Sequence, residues 1–442
     1  MSEIEHEHLT KEMLERYFDT TQAGAVSRIL LHLLAVCPEC RKTGGVILAA
    51  YEAGAIGDQF SAVDVDLFES RTKAKDLWEA LEPLPFEEAL RRIRGGGEYV
   101  TWGLAERLSK ESGAAGPKNA SRAVALALLA VEVAKHLSEW QPCEKEWLFE
   151  LRAYGYAHLA SAYRISGNMR EAEKAQRQAD EWWEQGAKSM GDTLGYEPEI
   201  LSLKASLRKD QRRFDEAVAL LDEVVGIYLA GDPETQDFHM AGRAFVLEAK
   251  IFEEMGDLEG AIALLREASP LIDPEREPRL LLCIQHNLLD YLAHLGRPEE
   301  ARAMLPRVWQ LSREIGNELD LVRLTWTEGL ILAALDETAR ASALLLEARG
   351  ELISRGMAYD VALVSLHLAR LYAKEGRTAA VAELARELIP IFEAQDIHRE
   401  ALAALAAFQQ AAFHEQASAE LVGKVARYLE AARKNPGLKF EA

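Results

Sequence analysis

Two cysteines near the start of the sequence have a spacing that zinc sites use. Two residues separate Cys37 from Cys40, which is a C-x2-C spacing, and His32 precedes them, with His8 farther upstream. Thiolate sulfur and imidazole nitrogen are the ligands that zinc takes in tetrahedral sites. Two thiolates with one or two imidazoles therefore predict a zinc ion as the cofactor of this segment.

The same segment resembles the zinc-binding anti-sigma domain of bacterial regulators, a small helical module that grips a sigma factor. The family pattern is an N-terminal histidine followed, after a gap, by His-x3-Cys-x2-Cys. The resemblance implies His8, His32, Cys37 and Cys40 as the metal ligands. Here the spacing is His32-x4-Cys37, and positions five apart on a helix point in different directions. Zinc binding thus requires the helix to end before Cys37, which Pro38 favours.

Two other interpretations of the cysteine pair stay open. In the first, Cys37 and Cys40 are small buried residues at a helix end, and His32 is paired or exposed. In the second, they form a redox pair, which the absence of a βαβ pattern around them disfavours.

The rest of the sequence contains no convincing catalytic motif. Neither a Ser/His/Asp order, nor H-E-x-x-H, nor a phosphate-binding glycine loop stands in a fitting context. His286 and Asp290 are one helical turn apart, where they either pair, bind an ion, or lie on the helix surface as ordinary neighbours. We therefore expect a binding protein and not an enzyme.

An internal repeat organises most of the sequence. A helix ends at Gly or Asp, an acidic residue follows in the first turn of the next helix, and a small residue anchors that second helix. The small residue recurs at Ala123, Ala172, Ala217, Ala261, Ala301, Ala341 and Val381. Because a single helix pair cannot bury its apolar face alone, successive pairs are expected to stack into a superhelix.

The repeat resembles the tetratricopeptide repeat family over residues 99–390, in about seven copies. The resemblance implies an all-α fold: a right-handed α-solenoid of antiparallel helix pairs that binds a protein or peptide. The copies here are longer than the family repeat, since the last three intervals between the small residues are each 40 residues. We predict four segments: a small helical module at 1–43, a helical connector with a hinge at 44–98, the solenoid at 99–390, and a capping helix pair at 391–442.

In tetratricopeptide repeats the groove is lined by fixed positions around the small residue of each first helix. By that resemblance, the predicted groove residues are Arg164, Lys209, Arg243, Lys250, His286, Asp290, Arg323, Trp326 and Arg370. Bases recur among them, which suggests that the ligand is an acidic peptide or the carboxyl terminus of a protein. The alternative is that these charges only solvate an exposed face.

Composition narrows the class of partner. The 72 acidic and 51 basic residues give a net charge of −21, which disfavours binding to nucleic acid and to anionic membranes. The first residues lack the pattern of a signal peptide, and the apolar runs are too short to span a bilayer, so we expect a cytoplasmic protein. The leading hypothesis is an interaction scaffold or regulator. The alternatives are an anti-sigma-like transcription regulator and a chaperone-like adaptor.

Overall fold

Helices form all the regular secondary structure in the part of the chain that is described. The structure is a computed structural model, and it describes residues 62–137, 145–187, 195–230, 236–393, 399–413 and 417–434. The chain divides into two compact units, Met1–Asp257 and Leu258–Ala442.

Unit 1 contributes nine of the described helices, with one turn of 3-10 helix at Gly97–Tyr99. They are α1 (Ala62–Leu81), α2 (Phe86–Arg94), α3 (Trp102–Ala115), α4 (Ala120–His136), α5 (Lys145–Ile165), α6 (Met169–Ala187), α7 (Glu197–Asp210), α8 (Phe214–Leu229) and α9 (Phe238–Met255).

Unit 2 contributes the other nine described helices. They are α10 (Leu258–Ala268), α11 (Pro278–His294), α12 (Pro298–Ile315), α13 (Glu318–Ala334), α14 (Thr338–Ser354), α15 (Ala358–Lys374), α16 (Thr378–Glu393), α17 (Arg399–Phe413) and α18 (Ala419–Lys434).

Helices consecutive in the sequence pack as pairs within each unit. In unit 1, α3 packs on α4, α5 on α6 and α7 on α8; in unit 2, α11 packs on α12, α13 on α14 and α15 on α16. Each pair also contacts the first helix of the next pair, as α4 does with α5 and α14 with α15. The predicted stacking of helix pairs is therefore confirmed inside each unit.

The small residues of the repeat all lie at the same place in a helix. Each of the seven is the fourth residue of its helix and is at most 2% exposed. Ala89, the fourth residue of α2, continues the series, 34 residues before Ala123, and is equally buried. A side chain no larger than Val lets the neighbouring helices approach closely, so the repeat begins earlier than the sequence pattern indicated.

Six of the described helices, α5, α7, α9, α11, α13 and α15, end in the same turn. Their closing residues have a positive φ, and the following N–H donates to a carbonyl five residues back at 2.9 Å in every case. The positive-φ residues are Gly167, Arg212, Gly256, Gly296, Asp336 and Gly376. This is the turn in which a left-handed residue satisfies the last carbonyls of a helix, and glycine adopts it without a steric penalty. The predicted helix-ending role of Gly and Asp is confirmed.

The first and last described segments of the chain are helical as well. Within the predicted connector lies α1, which ends ahead of Pro83 and Pro85. The predicted C-terminal pair appears as α17 and α18. The four-segment division of the chain stays a prediction.

The helices α1 and α3 of unit 1 approach each other closely at Gly103. Its backbone N–H donates to the Ser70 hydroxyl at 2.8 Å. A Cβ at Gly103 would lie 2.3 Å from the Ser70 carbonyl oxygen and 2.6 Å from the Cα of Arg71. Backbone atoms cannot rotate away as flexible side chains do, so any residue other than glycine must push α1 off α3.

We therefore expect Gly103→Ala to lower the free energy of unfolding by about 1–3 kcal/mol, the usual cost of overpacking. Gly226→Ala is the matched control, because Gly226 lies inside α8 with nothing within 4 Å of an added Cβ. That change should raise the free energy of unfolding by about 0.5–1 kcal/mol through helix propensity. Urea unfolding followed by far-UV circular dichroism measures both, and equal effects of the two changes would contradict the close approach.

Candidate functional site

Five of the predicted groove residues lie on α11, α13 and α15 of unit 2. We call the surface that these three helices share the unit 2 inner face. It carries His286 and Asp290 from α11, Arg323 and Trp326 from α13, and Arg370 from α15. The helices contact one another in this order, α11 with α13 and α13 with α15. The structure thus places these five residues on adjacent helices.

The α11 residues of this face do not form the pair that their spacing suggested. His286 Nε2 lies 3.0 Å from the Ser312 hydroxyl, and burial lowers the pKa of the His286 imidazole. Asp290 pairs instead with His294, at 3.4 Å between carboxylate and ring. His286 is therefore a neutral, anchored side chain at pH 7, which suits a structural contact better than ion binding.

Trp326 is fixed in place by a hydrogen bond across the face. Its indole N–H donates to His367 Nδ1 at 3.0 Å, and the ring centroids are 5.7 Å apart. The other ring nitrogen of His367, Nε2, lies 3.7 Å from the Glu430 carboxylate. The Trp326 ring is half-buried against the core of unit 2 and keeps part of its surface open.

Two arginines of the unit 2 inner face are exposed and unengaged. Neither Arg323 nor Arg370 has a side-chain hydrogen bond or ion pair with any residue that the structure describes. This contrasts with Arg279 of α11, whose guanidinium is bound by the Asp320 carboxylate. The face therefore offers two free guanidinium groups beside one anchored aromatic ring.

The predicted groove bases of unit 1 are mostly paired. Arg164 donates to Asp210 at 2.6 Å, and Lys209 lies 2.6 Å from the same carboxylate and 3.1 Å from Glu254. Burial alone would lower the pKa of the Lys209 ammonium, but these two carboxylates outweigh it and raise the pKa. The charges of Arg164 and Lys209 are thus matched inside the protein.

The remaining two bases of unit 1 lie on α9. Lys250 pairs with Glu253 on the same helix, and Arg243 is exposed on it. The structure therefore places the predicted groove bases in two settings, paired in much of unit 1 and open at Arg323 and Arg370 in unit 2.

A buried polar cluster in unit 1 was not predicted. Arg71 of α1 makes two bonds to the Glu106 carboxylate of α3, at 2.8 and 2.6 Å. The hydroxyl of Tyr196, which precedes α7, also donates to Glu106 and accepts from the Trp102 indole at 3.0 Å. Tyr196 stacks on Tyr154 of α5 with centroids 4.5 Å apart. The cluster joins α1, α3 and α5 to the residue that precedes α7, and its partners are up to 94 residues apart, so no local spacing reveals it.

The cluster shifts the pKa of its carboxyl group. Burial alone would raise the pKa of Glu106, but the charge and hydrogen bonds of Arg71 outweigh burial and hold that pKa at about 2. The same carboxylate, with burial opposing, raises the pKa of Arg71. Arg71 and Glu106 are therefore an ion pair throughout the physiological range.

We expect Glu106→Gln to lower the free energy of unfolding by about 3 kcal/mol, because it leaves the buried Arg71 charge without a counter-ion. Glu111→Gln is the control on the same helix, since Glu111 pairs with Arg107 at 2.7 Å near the surface and its loss should cost under about 1 kcal/mol. Urea unfolding at pH 7 measures both.

The pH dependence separates this charge effect from a general loss of packing. The pKa of Glu106 is lower in the folded protein than its ordinary 4.5, so its stabilisation is complete above pH 4.5 and is lost as the pH falls through about 2. The stability difference between the wild type and Glu106→Gln should therefore shrink over that interval. A difference that stays constant down to pH 2 would contradict the ion pair.

The predicted zinc ligands His8, His32, Cys37 and Cys40 lie outside the described residues. Among the residues that are described, no group of three or more His, Cys, Asp or Glu side chains is arranged to hold a metal ion. Of the helices in those same ranges, none combines the length and the apolar character needed to cross a bilayer.

Comparisons with known proteins support a tetratricopeptide-like array. The family model described as a tetratricopeptide repeat matches residues 153–182, which cover the end of α5 and most of α6. No curated protein sequence matches the chain.

Three solved structures are similar to the chain at low sequence identity. A signal transduction ATPase with numerous domains, which has a tetratricopeptide repeat sensor and comes from Pyrococcus horikoshii, is 12% identical over 98% of this chain and 66% of its own, with a TM-score of 0.54. BtubC from P. vanneervenii is 19% identical over 54% of this chain and 92% of its own, with a TM-score of 0.43. A Rap protein complexed with competence and sporulation factor is 12% identical over 75% and 91%, with a TM-score of 0.46. The predicted fold class, an all-α solenoid of tetratricopeptide-like helix pairs, is confirmed.

Proposed function

We propose that this tetratricopeptide-like protein is an interaction scaffold or regulator that binds an acidic segment of a protein on the unit 2 inner face. The match of residues 153–182 to the tetratricopeptide repeat family model supports a protein or peptide partner. The proposed role is binding and not catalysis.

The observation that carries the proposal is the pair of open guanidinium groups, Arg323 and Arg370. In a protein of net charge −21, carboxylates are abundant, and bases such as Arg164 and Lys209 form ion pairs with them. Arginines that remain unengaged on a face with an anchored Trp326 are therefore free to engage a carboxylate or phosphate from outside.

The chemistry of such binding follows from the side chains. A guanidinium presents two parallel N–H groups that match both oxygens of a carboxylate, and a charged hydrogen bond of this kind contributes about 1.5–3 kcal/mol. Trp326 offers a rigid apolar surface whose orientation is already set by His367, so little side-chain freedom is lost on contact. Acidic and apolar residues should alternate in the bound segment.

We expect Arg323→Glu to weaken partner binding by at least about tenfold, because it replaces an attraction to acidic residues with a repulsion. Arg307→Glu is the control: Arg307 is an exposed arginine of α12 in the same unit, with no pairing among the described residues, and the change alters the net charge equally. Partners are captured from the native host, identified by quantitative mass spectrometry and re-measured as purified proteins by calorimetry. Equal binding by Arg323→Glu and the wild type would reject this face as the site.

A second candidate function rests on the cysteine pair. The C-x2-C spacing of Cys37 and Cys40, with His8 and His32, supports a zinc module of the anti-sigma type whose partner is a sigma factor. That function would use the N-terminal segment and not the unit 2 inner face.

Metal analysis tests the second candidate directly. The purified protein should contain one zinc ion per molecule, and Cys37→Ser with Cys40→Ser should remove it. Cys283→Ser is the control, since Cys283 is an exposed free thiol on α11. A protein without zinc, or zinc that survives the double change, would remove the support for an anti-sigma function.

A further inference from the structure

The C-terminal helix α18 packs along α15, the last helix of the unit 2 inner face. Val422, Val425 and Leu429 of α18 are fully buried in the core that α15 shares. Gly423 lies beside Arg370, and Glu430, two turns later, lies beside His367, one turn before Arg370. The two helices therefore run antiparallel, and α18 adds its own side chains to those of α15.

Two guanidinium groups converge at Gly423. The point where a Cβ at Gly423 would stand is 3.5 Å from Nη1 of Arg427 and 4.0 Å from Nε of Arg370. Gly423 itself is buried under these two side chains, while both arginines are exposed to solvent. One arginine comes from α15 and the other from α18, so tertiary packing alone brings them together.

Neither of these two charges is neutralised by a described carboxylate. Arg370 and Arg427 both lack a hydrogen bond or ion pair with any residue in the described ranges. Glu430, an acidic residue of α18 that reaches α15, faces His367 instead. Two like charges on either side of Gly423 repel each other, and an anion placed between them would add two attractions that offset this repulsion.

We propose that Arg370 and Arg427 form an oxyanion site on the unit 2 inner face, which takes a phosphate monoester or a carboxylate of a bound protein segment. The proposal rests on the function proposed above and adds a residue from α18 to the binding surface. Gly423 is part of the site because its missing side chain leaves the space between the guanidinium groups open. In this arrangement α18 completes the face and does not merely cover it.

The site is tested with inorganic phosphate and with acetate, each against sodium chloride at equal ionic strength. Phosphate should raise the unfolding temperature of the full-length protein by about 2–4 °C at concentrations well above its dissociation constant. Arg370→Gln and Arg427→Gln should each weaken that response at least about tenfold in phosphate concentration, whereas Arg307→Gln should leave it unchanged. A response to phosphate but not to acetate would assign a phosphorylated segment; a response to both would show that a carboxylate suffices.

A substitution at the glycine gives an independent arm. Gly423→Glu supplies a carboxylate between the two arginines, so this variant should unfold at a higher temperature than the wild type without phosphate and should lose the phosphate response. A wild type that does not respond beyond sodium chloride, or an Arg427→Gln or Gly423→Glu variant that keeps the response, would overturn the proposal.

The same variants distinguish a failure of the oxyanion site from a failure of the proposed binding function. If Arg323→Glu abolishes partner capture while Arg427→Gln still binds phosphate, the oxyanion site is wrong and the binding face stands. If the phosphate response behaves as expected but Arg323→Glu captures partners normally, the oxyanion site is real and the partner binds elsewhere.

Discussion

Close approach of neighbouring helices at one small residue is the constraint on which the rest of the structure depends. The eight even-numbered helices from α2 to α16 carry Ala or Val as their fourth residue, and none of these side chains is more than 2% exposed. A larger residue there would separate the helices and expose the apolar ridges on both sides. Because each helix pair buries its apolar face mainly against its neighbours, stability in such an array is approximately a sum over adjacent contacts.

Unit 1 departs from that simple picture. The Arg71–Glu106–Tyr196 cluster links α1 and α3 directly to the start of α7, which is not adjacent to them in the sequence. Tyr154 of α5 is stacked into the same cluster and donates its hydroxyl to Glu199 of α7 at 3.2 Å. Contacts that skip a neighbour couple the unfolding of several pairs, so unit 1 should unfold more cooperatively than an array with nearest-neighbour contacts alone.

The sequence was informative where the physics is local. The turn that ends each first helix needs only a few consecutive residues, so Gly256, Gly296 and Gly376 indicate it at regular spacing. The two non-glycine positions, Arg212 and Asp336, adopt the same positive φ because the surrounding repeat imposes it. The repeat pattern in the sequence does not indicate Ala89, because α1 ends near Pro83 and not at a glycine turn. The glycine that usually precedes the small residue is therefore missing.

The candidate sites depended on contacts between distant residues, and sequence spacing cannot supply these. Resemblance to a repeat family placed Arg164 and Arg323 at equivalent kinds of position, yet Asp210 engages the first and no described carboxylate engages the second. Which base stays open depends on where acidic residues of other helices fall. The proximity of Arg370 and Arg427 depends likewise on the antiparallel packing of α18 on α15. This packing brings Gly423, which is 53 positions after Arg370 in the sequence, next to Arg370.

A protein with net charge −21 is nevertheless able to hold an acidic ligand, because charge acts over short distances in salt. At physiological ionic strength the screening length is about 8 Å. The numerous carboxylates elsewhere on the surface therefore exert little repulsion on an acidic group that is already in contact with an arginine. The overall charge instead acts during approach, where it slows the encounter with acidic partners. Binding on the unit 2 inner face would therefore draw its affinity from slow dissociation, set by short contacts to arginine and to the anchored Trp326, and not from fast association.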